Sequence, residues 1–502
     1  MDVFQFRENL IKDYATFTRS FTRIHAEDIR GFVDKAYASG RYWPAPLVQV
    51  NPNFKLGKSV EALVADGVLH PECGRIFRAG KSDGSAGVSL DLFKHQEEAI
   101  VFAQSGESYV LTIGTGSGKS LAYFIPIVDA ILKAKQSAPT PRTRAIVIYP
   151  MNALANSQLE ELGKFLGDYG DQPPVTFGRY TGQESDEERQ RMAANPPDIL
   201  LTNFMMLELL MTRQDDKDKA VIRNAQGLRF LVLDELHTYR GRQGADVALL
   251  VRRVREALSE HLQCIGTSAT MATEGTEQEK NQKVAEVACR LFGTRLTAAN
   301  VITETLQRIS PEHLLIDHVR PQLAEAIEAG VPESAGYEEL ARHPLAVWVE
   351  LTLGLTRDEG KWRRAQPMTL DDAAKRLAED AGVDFGAARS TLADFLLLAY
   401  RTTDKPSSEG GRSLFAFKLH QFISGGSKVY GTLEPAGQRY LTLEGSQFVP
   451  GDRSRRLYAL HFCRECGQEY MPVWDERDAQ GNVFNPRDID ERAHQVSGDT
   501  VN

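Results

Sequence analysis

The sequence predicts an α/β fold in which a parallel β-sheet carries helices on both faces. Short apolar runs alternate with amphipathic helical stretches between about residues 90 and 305. This alternation is typical of parallel strands that are joined by crossover helices. The strand candidates are Tyr109–Ile113, Ala145–Tyr149, Ile199–Thr202, Phe230–Leu233 and Cys264–Thr267. The helical patterns between them are Lys119–Lys135, Ala153–Leu166 and Ala245–Glu260.

Length and composition indicate a multidomain protein of ordinary soluble type. The 502 residues suffice for about two to four domains. The formal net charge of −9 argues against a basic nucleic-acid coat, although a local basic groove would still bind nucleic acid. Five scattered cysteines do not make a disulfide scaffold, so we expect a reducing, cytoplasmic location. The residues after Met1 are polar and no run is apolar enough to span a bilayer, so no membrane partner is expected.

Breaks in these patterns divide the chain into five predicted regions. They are an N-terminal accessory segment (1–88), the α/β unit (89–305), a helical insert (306–405), a small β-rich region (406–474) and a polar end (475–502). The insert is either a plain helical unit or a winged-helix-like one, and a helix in it is predicted to begin after Thr369, with Asp372 three residues on. The polar end is either a mobile tail or the truncated end of a longer polypeptide.

A glycine-rich turn follows the first predicted strand. Gly114-Thr-Gly-Ser-Gly-Lys119-Ser120 lets the backbone close around phosphate oxygens at a helix N-terminus. Lys119 is then expected to reach the β- and γ-phosphates of ATP, and Ser120 to hold Mg²⁺. Ile113 replaces the first glycine of the full pattern. The predicted ATP contacts are Phe93, Gln96, Gly114, Thr115, Gly116, Ser117, Gly118, Lys119 and Ser120.

Two carboxylates end the strand Phe230–Leu233. Carboxyl ends of parallel strands are where such sheets place ligands. Asp234 is expected to hold Mg²⁺ through water, and Glu235 to orient or deprotonate the attacking water. His237 would couple this site to the loop Ser268-Ala269-Thr270. The alternative is that the carboxylates only cap the next helix.

An upstream glutamine is a candidate for base recognition. Gln96 lies in Leu92-Phe-Lys-His-Gln96, shortly before the glycine-rich turn. A glutamine amide can make paired hydrogen bonds to the adenine edge. The alternative is a surface glutamine on a helix.

Taken together, these motifs resemble superfamily-2 helicases of the DEAD/DEAH-like class, over roughly Leu90–Thr273. The resemblance implies a first RecA-like lobe that hydrolyses ATP and tracks a single strand. In that class, backbone amides and hydroxyls touch phosphates and sugars without reading bases. Each candidate is otherwise an ordinary strand end or turn. The nucleic-acid contacts implied are Pro150, Asn152, Thr181, Gly182, Thr202 and Asn203.

Narrower resemblances suggest a DNA-directed role. Asp234-Glu-Leu-His-Thr-Tyr-Arg-Gly241 resembles the bacterial YprA/MrfA-type helicases of DNA repair and phage defence. The first eighty residues and Leu414–Tyr470 resemble Druantia-type defence helicases. DNA is favoured over RNA by this resemblance.

A pair of cysteines forms half of a zinc knuckle. Cys463-Arg-Glu-Cys466-Gly467 places two thiols on one tight turn, but structural Zn²⁺ takes four ligands. Three interpretations stay open. A second pair lies in a missing C-terminal region, or the pair binds nothing, or histidines complete the site; the histidine candidates are His420, His461 and His494.

The motifs of a second motor lobe are not recognisable after Thr270. Neither a Ser/Thr-Arg grip nor a Q-x-x-G-R-x-x-R segment is present, and Arg364, Arg401 and Arg412 do not match by pattern. We therefore expect ATP and nucleic-acid binding, weak hydrolysis and no unwinding by this chain alone. The second lobe would come from a missing part of the chain or from another chain. Alternatives are an ATP-dependent DNA-binding or scaffolding subunit, and a translocase that moves on duplex DNA.

Overall fold

The structure is a computed structural model. It describes residues 2–81, 85–114, 117–170, 172–269, 275–358, 360–406, 411–426, 428–478 and 481–491.

A seven-stranded parallel sheet forms the centre of the molecule and confirms the predicted α/β fold. Its order is β7-β1-β6-β5-β2-β4-β3, and every neighbouring pair is parallel. The five inner predictions agree with the structure to within about a residue or two at each end, whereas both edge strands were not predicted. The strands are β1 (Tyr109–Thr112), β2 (Ala145–Tyr149), β3 (Phe177–Tyr180), β4 (Ile199–Asn203), β5 (Phe230–Leu233), β6 (Gln263–Ser268) and β7 (Val301–Thr303).

Helices cover both faces of this sheet and create two cores. Alternate side chains along a strand point to opposite faces, so Val147 of β2 belongs to one core and Ile148 to the other. The helix after the glycine-rich turn is buried over most of its length, as a helix between layers should be. The helices are Lys94–Ser105, Lys119–Ser137, Asn152–Leu166, Asp186–Ala194, Phe204–Thr212, Asp216–Asn224, Gly241–Leu258 and Glu277–Phe292, with 3₁₀ turns at Gly167–Tyr169, Leu236–Thr238 and Ala298–Asn300.

A third core joins the N-terminal segment to the helical region. The strand Leu47–Asn51 lies between Met368–Thr369 and Ala416–His420 in an antiparallel sheet. Val48 and Val50 pack in one cluster with Trp348 and Phe395. This cluster, which we call the accessory core, therefore contains residues from three of the five predicted regions. The domain boundaries themselves stay predictions.

Short helices and strands complete these two regions. The helices are Val3–Ser20, Glu27–Ala38, Val60–Ala65, Cys73–Ile76, Ile316–Glu328, Tyr337–Arg342, Pro344–Val349, Leu370–Ala381 and Phe385–Arg401, with a π-helical turn at Glu350–Gly354. Thr369 accepts the Asp372 N–H at 3.0 Å, as expected for the predicted cap. The small paired strands are Asn53–Phe54 with Leu306–Gln307, Leu56–Ser59 with Asp91–Phe93, Arg78–Ala79 with Val88–Ser89, and Leu355–Asp358 with Lys361–Arg364.

The C-terminal region is built from short antiparallel strands. The cysteine pair lies on the turn between His461–Phe462 and Glu469–Tyr470. Val473–Asp478 and Gly481–Pro486 form an antiparallel pair that begins at the end of the predicted β-rich region and lies mostly in the predicted polar end. The other strands are Tyr430–Gly431, Leu441–Thr442, Phe448–Val449, Asp452–Arg456 and Tyr458–Ala459.

The zinc prediction finds no support in the described ranges. Gly467 donates its N–H to Cys463 O at 2.9 Å, so the tight turn forms as expected. His420 Nε2 lies 2.7 Å from Gln49 Oε1, and His461 stacks on Tyr470 with ring centroids 5.6 Å apart. Over the residues that the structure describes, no three His, Cys, Asp or Glu side chains cluster as a metal site. His494 lies outside those residues.

Helix length and polarity bear on membrane insertion. Each helix in the described parts of the chain is too short or too polar to cross a bilayer.

Candidate nucleotide-binding site

The glycine-rich turn leads from β1 into the helix Lys119–Ser137, as predicted. Gly118 has φ +66°, and a Cβ built there would lie 2.6 Å from Gln96 Nε2. Only glycine fits both the backbone conformation and this contact. The helix N-terminus that follows offers unpaired N–H groups to an anion. Thr115 and Gly116, two predicted ATP contacts, lie outside the described residues.

His95 and Gln96 hold the backbone of this turn. Gln96 Nε2 donates to Gly118 O at 3.0 Å, and Gln96 Oε1 accepts the Phe93 N–H at 2.8 Å. Burial lowers the pKa of His95, so its ring is neutral and Nε2–H donates to Ser117 O, 2.9 Å away. Gln96 is only 2% exposed. The structure thus places Gln96 against the phosphate loop with its amide engaged by backbone groups, and its predicted adenine contact stays a prediction.

The two carboxylates lie at the end of β5, close to the lysine of the turn. Lys119 Nζ is 3.3 Å from Glu235 Oε1. Glu235 has φ +53°, the one positive φ of a non-glycine residue in the described ranges, a conformation that costs about 1–2 kcal/mol. Thr267, fully buried on β6, accepts the Glu235 N–H at 3.1 Å and donates its hydroxyl to Asp234. The strained backbone is therefore held by the neighbouring strand and directs Glu235 towards Lys119.

Burial and the neighbouring Glu235 charge raise the pKa of Asp234, although Thr267 and Lys119 oppose them. A carboxylate whose pKa is raised in the folded state lowers the free energy of unfolding at pH values above that pKa. This destabilisation disappears as the pH falls through the raised pKa. We therefore expect Asp234→Asn to raise the thermal unfolding midpoint of the nucleotide-free protein by about 2 °C at pH 7.5. The gain should shrink as the pH falls through the raised pKa of Asp234. Asp246→Asn, at an exposed position of the helix Gly241–Leu258, is the control. A lower midpoint for Asp234→Asn at pH 7.5 would contradict this.

His237 connects the carboxylates to the predicted coupling loop. Its Nδ1 lies 3.2 Å from both Ser268 Oγ and Glu235 Oε2. Ser268 ends β6 and is fully buried, and Ala269 follows it in a half-buried position. Thr270 lies outside the described residues. The structure thus brings His237 and Ser268 together, and the coupling role stays a prediction.

The oxygen donors here suit a magnesium nucleotide. Glu235 Oε2 lies within ion-pair distance of His237 but accepts no hydrogen bond from any described residue. Mg²⁺ takes carboxylate, hydroxyl and water oxygens together with substrate phosphates. Ser120 lies next to Lys119 in the first turn of the helix, and Asp234 directly follows β5. The residues present therefore fit the predicted Mg²⁺–ATP complex.

The predicted nucleic-acid contacts lie at the ends of three neighbouring strands. Pro150 follows β2, Thr181 follows β3, and Asn203 ends β4. Asn203 Nδ2 donates to Asn152 Oδ1 at 2.7 Å and to Thr181 O at 3.2 Å. Thr181 is buried, and Thr202 is fully buried; the Thr202 hydroxyl donates to Tyr180 O at 2.6 Å. The Thr202 side chain therefore belongs to the fold rather than to an open surface.

Glu184 is a further residue at this sheet edge that the motifs did not single out. Its carboxylate accepts the N–H groups of Thr181 at 2.7 Å and Gly182 at 2.9 Å, and Arg179 Nε at 2.7 Å. Burial acts to raise the pKa of Glu184, but these hydrogen bonds outweigh it and lower the pKa. The backbone N–H groups that could meet a phosphate are thus already held by a carboxylate. The sequence could have pointed to Glu184 only through its position, two residues after the predicted contact Gly182.

Two other residues of the site were missed for different reasons. Thr267 directly precedes Ser268, so the motif itself could have pointed to it. Arg364 comes from the hairpin Leu355–Asp358 and Lys361–Arg364, and its guanidinium Cζ lies 3.5 Å from a Cβ built on Gly114. No local signal links these positions, because only the docking of the two regions brings them together.

Comparisons with known proteins match the part of the chain that carries this site. The DEAD/DEAH box helicase family matches residues 93–278. The chain is 25% identical over 339 residues to Druantia protein DruE of Escherichia coli, covering 46% of this chain and 18% of that protein. It is 33% identical over 165 residues to the ATP-dependent helicase YprA of Bacillus subtilis, covering 33% of this chain and 20% of that protein. The chain thus spans about a fifth of the length of these relatives.

A solved structure of the DUF1998 helicase MrfA bound to DNA is also similar, at 25% identity and a TM-score of 0.39, covering 51% of this chain and 30% of that one. The phosphate loop, the Asp-Glu pair and the family match coincide on one parallel sheet. Residues 93–278 of this chain are therefore a DEAD/DEAH box helicase domain.

Proposed function

We propose that this chain is the N-terminal motor half of a superfamily-2 ATP-dependent DNA helicase or translocase. The observation that carries the proposal is the convergence of Lys119 with the end of β5, where Glu235 lies 3.3 Å from its ammonium group. The His237–Ser268 contact adds a route from this site to the adjoining loop. These groups are the ones that ATP hydrolysis by a helicase domain requires.

The contacts of Lys119 suggest how ATP prepares hydrolysis. Without nucleotide, the Lys119 ammonium and the Glu235 carboxylate neutralise one another. Phosphate oxygens compete for Lys119, and Glu235 is then available to orient the attacking water and accept its proton. Ser120 and Asp234 would hold Mg²⁺, which would supply positive charge beside the β- and γ-phosphates. A change in the contacts of Glu235 would then shift His237, which lies beside Glu235, and His237 would in turn shift Ser268.

A single strand of DNA is the proposed track. Asn152, Thr181, Gly182 and Asn203 would contact its sugars and phosphates, Thr181 and Gly182 through groups other than the N–H groups that Glu184 holds, which gives binding without base recognition. DNA is favoured over RNA by the resemblance of the Asp234–Gly241 segment to YprA/MrfA-type helicases. We place the activity in the cytoplasm, in DNA repair or anti-phage defence.

A second candidate is an ATP-dependent DNA-binding or scaffolding subunit, or a translocase on duplex DNA. The parallel sheet of the helicase domain is the one parallel sheet within the described ranges. Hydrolysis by two-lobed motors needs an arginine from the facing lobe. A second lobe supplied in cis or by another chain would therefore decide between these functions.

The test is the ATPase rate of the full chain with and without single-stranded DNA. We expect wild type to bind ATP and hydrolyse it slowly, at a rate above that of Lys119→Ala, and to displace no strand from a duplex. The variant removes the ammonium group that meets the phosphates. A strongly DNA-stimulated rate would contradict weak hydrolysis by this chain alone. A wild type that does not bind ATP would sink the whole proposal.

A further inference from the structure

A β-hairpin of the helical region reaches the phosphate loop. Its strands are Leu355–Asp358 and Lys361–Arg364, and its last residue packs on Gly114. Arg364 Cζ, Nε and Nη2 each lie 3.5 Å from a Cβ built on Gly114. A methyl group at this position would be in ordinary van der Waals contact with the guanidinium, so a cationic group lies beside the loop that receives phosphates.

Arg364 is held in place without using its full hydrogen-bonding capacity. Nε and Nη2 donate to the two carboxylate oxygens of Glu304 at 2.8 and 2.9 Å, and Nη1 donates to Asn51 Oδ1 at 3.1 Å. The guanidinium also lies over the Phe54 ring, 5.3 Å from its centroid. A guanidinium has five N–H donors, so these bonds occupy three of them. Among the residues that the structure describes, the other two N–H groups have no acceptor.

The hairpin is anchored on the helicase domain by neighbouring cations. Arg363 Nη2 and Lys361 Nζ lie 2.5 and 3.0 Å from Glu277, the first residue of the helix Glu277–Phe292. That single carboxylate compensates one of their two positive charges. The anchor fixes the hairpin, so the position of Arg364 beside Gly114 does not depend on the Glu304 pair alone.

We propose that Arg364 contacts the phosphates of bound ATP, which makes it a nucleotide ligand supplied by the helical region. The proposal rests on the proposed function of the site. A guanidinium fork matches phosphate oxygens, and a polyanion in the loop attracts it while repelling Glu304. Because Arg364 belongs to the hairpin, ATP binding and the position of the helical region are coupled, and the coupling is reciprocal.

Equilibrium titration of the full chain with Mg²⁺–ATP, and separately with inorganic tripolyphosphate, tests this. We expect R364A to weaken both ligands about tenfold, and R364K to weaken them less. R357A is the matched control, because Arg357 is an exposed arginine of the same hairpin that contacts Trp362. It should bind both ligands as wild type does. E304Q removes the competing carboxylate charge and should tighten ATP binding.

The outcomes separate this inference from the proposed function. Equal affinities for R364A and R357A overturn the contact, and so does a loss for ATP without a loss for tripolyphosphate. Weaker ATP binding by E304Q would show that the ion pair only supports the fold. If R364A does not fold, the pair R364K and E304Q decides, since each keeps a polar side chain of similar size. Failure of wild type itself to bind ATP would instead remove the proposed function.

Discussion

Glu235→Gln is expected to slow ATP hydrolysis by about 100-fold or more while leaving ATP affinity within about threefold of wild type. The amide keeps the shape of the side chain but cannot accept a proton from the attacking water. The substitution also removes the charge that holds Lys119 at 3.3 Å, so the ammonium group stays free for phosphate. Hydrolysis and binding should therefore separate in this variant.

The measurement is a single-turnover assay with radiolabelled ATP and excess protein, in the presence of single-stranded DNA, beside a titration with ATP. Excess protein makes a slow intrinsic rate measurable, and Lys119→Ala sets the baseline. Glu161→Gln makes the same chemical change at an exposed position of the helix Asn152–Leu166 and should leave both quantities unchanged. If Glu235→Gln hydrolyses ATP as fast as the wild type, the carboxylates only cap the following turn.

The inner strands of the sheet were predictable because they are buried on both faces. β5 reads Phe-Leu-Val-Leu and all four residues are buried, so the sequence carries an uninterrupted apolar run. The edge strand β3 reads Phe-Gly-Arg-Tyr and only Tyr180 is buried, so no such run exists. β7 has three residues and is recognisable only from its pairing with β1. Whether a strand can be predicted from the sequence therefore depends on how completely it is buried, and not on its role at the site.

The candidate site divides in the same physical way. Lys119, Asp234 and Glu235 lie in short motifs, because the phosphate loop and the strand end are local structures. Arg364 and its partner Glu304 carry no motif, since their contact with the loop is created by docking between distant regions. Arg364 does not match the sequence pattern of an arginine finger, as predicted. That pattern belongs to a second motor lobe, so it does not conflict with the position of Arg364 beside Gly114.

The accessory core was missed for a related reason. Leu47–Asn51 is preceded by Pro44 and Pro46, and the sequence there suggests only irregular structure. Its partner strand Ala416–His420 lies far along the chain, and the two form five aligned pairs. Two alternating valines give too weak a signal to specify such a partner.

Val50→Asp is therefore expected to unfold the accessory core, with a destabilisation above about 4 kcal/mol. Val50 is 2% exposed, pairs with Phe417 across the sheet and lies 3.4 Å from a Cβ built on Gly354. A carboxylate there has no partner that could compensate its loss of hydration. The helicase domain should stay folded, because its two cores are clusters separate from this one.

Trypsin digestion with mass spectrometry of the first fragments measures this. New early cuts should appear within the N-terminal segment and the helix Phe385–Arg401 at the same time, while the strands of the helicase domain stay protected. Gln49→Glu is the control, since it adds a carboxylate one residue away, on the opposite face, next to His420. If early cuts appear only in the N-terminal segment, the helical region stays folded without the strand Leu47–Asn51, which contradicts the prediction. Simultaneous loss would mean that both regions fold as one unit, which is the unit that delivers Arg364 to the phosphate loop.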